Sequence, residues 1–427
     1  MLPIPQLDRR RFLQGLLYAS TALAAPACAL AESAIGTPLP AWREGNFDIH
    51  HIDTGRGNST FLVFPDGTTM MIDAGAANVP PDTSSAAHPN ASRRPGEWQA
   101  RYALARAPRI LGQPSHLDYF LTTHIHPDHV GDITLTSPLA PSGDYRLTGI
   151  SDVDALLPIA TVIDRSFPDY GAFPPYAAPY SANYLAFLKS REASVLRAQT
   201  GSTQQITLRN DAARYPNFSA RILAANAVVW TGHGAATSAR LPDLSHEPSN
   251  AHGYENNLSI ATRFEYGRFS YYAGGDLDCD TYDGRAPYLD IETPVVHVAG
   301  RTEVAAADHH GYFDACGPEF VRSLNAQVYI VQAWDIGHPG TAQMQRMTGE
   351  WVDGVTPASQ LHDLFTTDLL PANELLNRRF AGNIKSKHGH VVVRVAPGGD
   401  TYHVYALDST HENGTITGVF GPYTCRA

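Results

Sequence analysis

A layered α/β fold is predicted by three observations: short apolar runs broken by tight turns, helical stretches between them, and a chain too long for one simple core. The chain has 427 residues, 43% hydrophobic and 17% charged, the balance of a globular protein and not of a fibre or a disordered tail. Phe47 to Ile52, Ser59 to Phe64 and Thr68 to Ile72 read as strands, the last two joined by Pro65-Asp66-Gly67 and ending at Asp73-Ala74-Gly75. A helix is expected from Glu97 to Ala107. Leu117 to Thr122 is a short apolar strand that delivers a histidine cluster.

The opening pattern returns two hundred residues later. Asn257 to Phe264, a turn at Tyr266-Gly267, and Arg268 to Ala273 end at Gly274-Gly275-Asp276. Both copies are strand, tight turn, strand, acid. They suggest two similar half-domains facing one another, although chance similarity of two hairpins accounts for the pattern equally well. Residues 133–217, rich in Pro and Tyr with one helix from Ala182 to Ala198, read as an insertion or a lid. Residues 77–95 and 340–388 read as irregular, before a closing hairpin of His390 to Val395 and Tyr402 to Leu407.

The first residues read as an address. Arg9-Arg10-Arg11-Phe12-Leu13 precedes the apolar run Gly15 to Ala25, and Ala29-Leu30-Ala31 supplies a small-residue cleavage site. This is the pattern of a twin-arginine export signal, implying passage through that export machinery and a periplasmic or secreted destination. The expected domain organisation is a signal over 1–31 and one domain over 32–427 with an insertion around 133–217, the domain carrying a formal charge of -13. No stretch reaches the roughly 18 apolar residues of a transmembrane helix. Cys28 fits a lipid-attachment box poorly, and without it Cys279, Cys316 and Cys425 form an odd set, so disulfides do not organise the fold.

Charge excludes one class of partner. The formal charge of the whole chain is -11 and lysine occurs only at Lys189, Lys385 and Lys387, so no basic stripe for nonspecific nucleic-acid binding can be assembled. Nineteen histidines, against five methionines, four cysteines and five tryptophans, point instead to metal.

Thr122-Thr123-His124-Ile125-His126-Pro127-Asp128-His129 is the strongest signal. His124 and His126, two apart at a strand end, point the same way and can share one cation; Asp128 and His129 can serve a second. Cys279 is read as a small buried thiol, and His50, His51, His116 and His297 as packed or surface residues. Tyr170, Tyr176, Tyr180 and Tyr184 would form either an aromatic mouth able to hold a cationic group or a cover for the core.

At these residues the chain resembles the metallo-β-lactamase-fold hydrolases, whose His-x-His-x-Asp-His signature is present as written. The Asp-x-Gly at Asp73 and the Gly-Gly-Asp at Asp276 match as well. Asn257-Leu258-Ser259, His309-His310-Gly311 and His338-Pro339 fit the competence-protein-like branch. Those proteins carry transmembrane channels and this chain has none, so DNA uptake is not carried over. The resemblance implies a four-layer αββα sandwich with the Pro/Tyr-rich stretch inserted. It also implies two divalent metal ions, zinc being expected, bridged by Asp276.

The ligand set it implies is His124, His126 and one further histidine for the first ion, and Asp128, His129 and His309 for the second, with His310 open as the alternative to His309. His233, His246 and His252 compete for the open place, with His252 preferred because it lies nearest Asn256-Asn257. Asp73 orients the histidine loop. Asp128 also orients the attacking water or returns a proton, and His310 and His338 are catalytic candidates beside the metals or at the substrate. Two such ions ~3.5 to 4 Å apart share a water and lower its pKa toward ~7, making hydroxide the nucleophile. A phosphodiester or other phosphoester is the expected substrate. A lactone or β-lactam, or a non-catalytic zinc-binding role in the cell envelope, are the alternatives.

Overall fold

Alternation along the strands builds the molecule, because the central ones have apolar side chains for both of their faces. In a computed structural model, which describes residues 34–79, 83–86, 93–108, 115–242, 254–349 and 362–426, those strands form two nine-stranded sheets.

The first sheet takes β1 (Phe47–His51), β2 (Thr60–Val63), β3 (Thr69–Ile72), β4 (Leu117–Leu121), β5 (Ile159–Asp164) and β6 (Val195–Arg197). The second takes β7 (Phe218–Ala225), β8 (Val228–Trp230), β9 (Thr237–Ala239), β10 (Ala261–Tyr266), β11 (Phe269–Ala273), β12 (Val304–Ala306), β13 (Val328–Val331), β14 (Asp363–Thr366) and β15 (Ile384–Ser386). β16 (His390–Val395), β17 (Thr401–Leu407) and β18 (Ile416–Thr424) return to the first sheet beside β1. In each sheet a hairpin, β2–β3 or β10–β11, is followed by parallel neighbours, β4–β5 or β12–β13. The two copies seen in the sequence thus occupy equivalent places in facing sheets.

Leu62, Met70, Ile72, Tyr119 and Leu121 of the first sheet meet Phe264, Phe269, Tyr271, Val304 and Ile330 of the second in one buried core. Each such side chain contributes about 1.5–3 kcal/mol on burial. The alternate residues face outward to helices. Phe61, Val63 and Met71 pack on α1 (Pro95–Arg106), α3 (Ile150–Leu156) and α4 (Pro179–Ser190), the four-residue α2 (Pro127–Val130) lying between α1 and α3 in the chain. Tyr272, Tyr329 and Val331 pack on α5 (Glu292–Ala299), α6 (Pro318–Leu324) and α7 (Thr341–Met347). The architecture is therefore a four-layer αββα sandwich, the fold class expected.

Three local expectations change. The helix expected from Ala182 to Ala198 spans Pro179–Ser190 and then gives way to β6, where Arg191 leaves the helix axis to bind Asp154 at 2.7 Å. The stretch over 133–217 also contributes β5 and β6 to the edge of the first sheet. Residues 340–388, read as irregular, hold α7, β14, α8 (Pro371–Leu376), α9 (Arg378–Ala381) and β15. Residues 1–31, with the export signal and Cys28, lie outside the described residues, as do His246 and His252. Among the described residues no helix is long and apolar enough to cross a membrane, and Cys279, Cys316 and Cys425 are free thiols.

Candidate metal centre

The carboxyl ends of β3, β4, β11, β12 and β13 lie at one end of the sandwich, where loops of an open α/β sheet hold ligands. Loops packed this tightly need glycine where backbones meet. A Cβ at Gly75 would lie 1.4 Å from the carbonyl oxygen of Asp128, so only glycine lets the loop after β3 support α2.

Asp73, fully buried after β3, accepts from the backbone N–H of Thr123 at 2.8 Å, from Thr123 Oγ1 at 2.7 Å and from His129 Nδ1 at 2.8 Å. With its Nδ1 bonded to Asp73, His129 turns Nε2 inward, and that buried atom has no hydrogen-bond partner. It faces Asp276 Oδ2 at 3.1 Å and Asp128 Oδ2 at 3.6 Å. His310 is fixed in the same way: its Nδ1 bonds the carbonyl of Gln332 at 2.9 Å, and its Nε2 lies 3.1 Å from Asp128 Oδ2 and 3.7 Å from Asp276 Oδ2. Asp128, His129, Asp276 and His310 each offer one ligand atom within 4.8 Å of all the others. An orphaned imidazole nitrogen inside a ring of carboxylate and imidazole lone pairs fits a divalent cation of the zinc type.

His124 lies alongside. Its Nδ1 is near Ser259 Oγ at 3.2 Å and Thr123 Oγ1 at 3.1 Å, and its Nε2 is 3.0 Å from His126 Nδ1 and 3.7 Å from Asp276 Oδ2. Two ring nitrogens converging so closely suit one shared ion. Asp276 is itself placed by its N–H bond to Ser259 Oγ at 3.1 Å.

The charges follow from this packing. Burial alone would lower the His129 pKa, but the carboxylates of Asp276, Asp128 and Asp73 reverse it and hold the imidazole well above its ordinary value. Burial likewise opposes the charge of Asp128 and Asp276, yet the surrounding histidines hold both well below the usual carboxylate range. His124 and His126 are held below the ordinary value by burial first, which keeps them in the neutral form that binds metal.

The sequence-derived set is thus mostly brought together, with differences. His309, expected on the second ion, is not in the four-residue group, and His310 takes that place. Both adopt left-handed φ, 44° and 53°; His310 Nε2 reaches Asp128 Oδ2 at 3.1 Å, whereas His309 Nδ1 is held by Asp314 at 2.7 Å. His338 does not reach the carboxylates; it is buried, stacks on His310 at 4.9 Å between ring centres, and accepts from the N–H of Asp335 at 3.3 Å. His233 is exposed in the turn between β8 and β9 and takes no part. Tyr176 stacks on His126 at 5.6 Å and Tyr180 is only part-buried, whereas Tyr170 and Tyr184 belong to the core under α4.

Sequence reasoning missed the support from behind. Glu255, buried, accepts from the N–H of Ile125, between His124 and His126, at 2.9 Å. Its carboxylate is gripped by the buried Arg165 at 3.0 and 2.9 Å, and Arg165 also bonds Asn226 and the carbonyl of Phe173. The only signal was a lone acid before Asn256-Asn257 and a lone arginine at the end of β5.

Residues 52–135, which hold Asp73 and the whole histidine motif, match the model of the Metallo-beta-lactamase superfamily. No curated protein matches the chain. Among solved structures, a "Putative metal-dependent hydrolase" from Parabacteroides distasonis ATCC 8503 aligns over 80% of this chain and 92% of its own, at 11% identity and a TM-score of 0.31. A superposition that loose carries no weight for either site or activity.

Proposed function

We propose that this chain is an exported, metal-dependent hydrolase that cleaves a phosphodiester or related phosphoester at a two-ion site. One observation carries the reading: Asp276 Oδ2 is approached within 4 Å by the Nε2 atoms of His124, His129, His309 and His310, at 3.7, 3.1, 3.9 and 3.7 Å. A single carboxylate oxygen at the focus of four imidazole nitrogens is the donor set of a bridging ligand. His124 and His126 would hold one ion, Asp128, His129 and His310 the other, with Asp276 between them. Divalent ions so held would supply Lewis acidity to a substrate oxygen and acidify a water.

The chain's own groups do the rest. Asp73 and the Gln332 carbonyl orient His129 and His310 through Nδ1, so that Nε2 of each faces the carboxylates, with the Trp334 indole N–H reaching His310 Nε2 at 3.3 Å. Asp128, ionised at the rim, is placed to orient the attacking water and to return a proton to the leaving oxygen. Glu255 and Arg165 hold the Ile125 amide and with it the spacing of His124 and His126.

An uncharged ester or lactone is the second reading, favoured by the aromatic surface at the rim, Tyr176 over His126 and the exposed Phe313 beside Tyr312. The test is hydrolysis of bis-aryl phosphodiester, lactone and β-lactam reporters by purified protein, before and after chelation and zinc return. Phosphodiester turnover that chelation removes and zinc restores is expected. Zinc binding with no turnover of any reporter would leave the non-catalytic envelope role.

A further inference from the structure

The adjacent histidines of the His-His-Gly turn do not do the same thing. Successive left-handed residues are costly for side chains with a Cβ and persist where the surroundings impose them. Here the turn is held at both ends: the N–H of His309 bonds the carbonyl of Gly275 at 3.1 Å, next to Asp276, and the carbonyl of Gly311 accepts from the N–H of Gly340 at 2.8 Å. The outcome is two rings with the same chemistry and different neighbours.

Each ring has its Nδ1 committed, His310 to the Gln332 carbonyl at 2.9 Å and His309 to Asp314 Oδ1 at 2.7 Å. Each therefore presents Nε2 toward Asp276, as metal-binding histidines oriented by a carboxylate or carbonyl do. His310 Nε2 also meets Asp128 Oδ2 at 3.1 Å and so belongs with His129. His309 Nε2 makes no such approach among the described residues. Its other neighbour is Asn256 Nδ2, a weak 3.3 Å donor whose partner atom Oδ1 is buried without a hydrogen bond, so this amide is easily displaced from the lone pair.

Resting on the two-ion reading, we propose that the pair is divided between the ions: His310 completes the Asp128–His129 ion, and His309 is the third nitrogen ligand of the His124–His126 ion. Asp276 lies between them, and neither His252 nor His246 is needed. Asp314 is then a positioning residue that fixes the His309 tautomer.

The test is metal content of the mature, zinc-loaded protein after dialysis, with anomalous diffraction at the zinc edge to locate what remains. Two ions are expected for the unmodified chain and for His252→Ala. One ion is expected for His309→Ala, retained at Asp128, and one for His310→Ala, retained at His124. Asp314→Asn, which keeps shape and removes charge, should retain both ions but weaken the one at His124 by about 10- to 100-fold. Two tightly held ions in both His309→Ala and Asp314→Asn, or loss of one in His252→Ala, would overturn the assignment. An unmodified protein that binds no zinc would overturn the two-ion reading itself.

Discussion

The two halves of the sandwich use the same device for opposite ends. In one, the hairpin β2–β3 delivers Asp73; in the other, β10–β11 delivers Asp276, and both acids are buried where parallel strands begin to pair. Asp73 meets N–H and O–H donors from Thr123 and His129, and its charge is spent on orientation. Asp276 Oδ2 instead faces four imidazole nitrogens, while its own backbone N–H donates to Ser259 Oγ. The scaffold supplies an acid at each strand end, and the neighbouring side chains decide whether it builds a site or becomes the site.

Exchanging the acids breaks that contrast most sharply. Asp276→Ala should abolish turnover, by about 10⁴-fold or more, and lower bound metal at both positions, and His126→Ala should do the same at one. Asp73→Asn should cost only about 10- to 100-fold in activity or zinc affinity, because it loosens His129 without removing a ligand. Equal losses for the two acids, measured as kcat/KM and zinc content, would erase the distinction.

Glycine gives a second comparison. At Gly75 an added Cβ meets the Asp128 backbone at 1.4 Å, whereas at Gly275 it meets the Ser259 side chain at 2.9 Å on a φ of +65°. Gly75→Ala should therefore destabilise by about 3 kcal/mol and Gly275→Ala by less, read from denaturant midpoints.

A third, smaller effect is proton-linked. Burial opposes charge on His309, but Asp276 and Asp314 outweigh it and push its pKa up to about 9. Below that pH an entering ion must displace a proton, so apparent zinc affinity should rise as pH approaches about 9 and fall in acid. In the metal-free protein the same shift adds stability that is complete below the ordinary histidine value and is lost as pH rises through about 9. Calorimetric titration in two buffers of different ionisation enthalpy at pH 7 measures the released protons, and no release would contradict the shift. Least affected should be His297→Ala, an exposed partner of Glu319 at 3.1 Å, with unchanged metal content and stability within about 0.5 kcal/mol.

The αββα layering and the clustering of Asp128, His129 and Asp276 were legible because they rest on local rules. Short apolar strands such as Thr68 to Ile72, turns such as Pro65-Asp66-Gly67, and histidines two apart at a strand end state their geometry in the sequence. What was not legible depends on distant partners or on backbone sign. His309 and His310 are adjacent letters, and only the folded chain shows that His310 meets Asp128 while His309 is held by Asp314. Glu255 and Arg165 are ninety positions apart, and nothing local joins them. The helix under residues 179–190 stops early because Arg191 is drawn to Asp154, a tertiary choice that overrides a continuing helical pattern.

The most direct measurement is X-ray diffraction from zinc-loaded crystals at energies above and below the zinc edge. Two anomalous peaks should flank the Asp276 carboxylate, one toward His124 and His126 and the other toward Asp128, His129 and His310. No peak there, or metal bound only elsewhere on the molecule, would contradict the account.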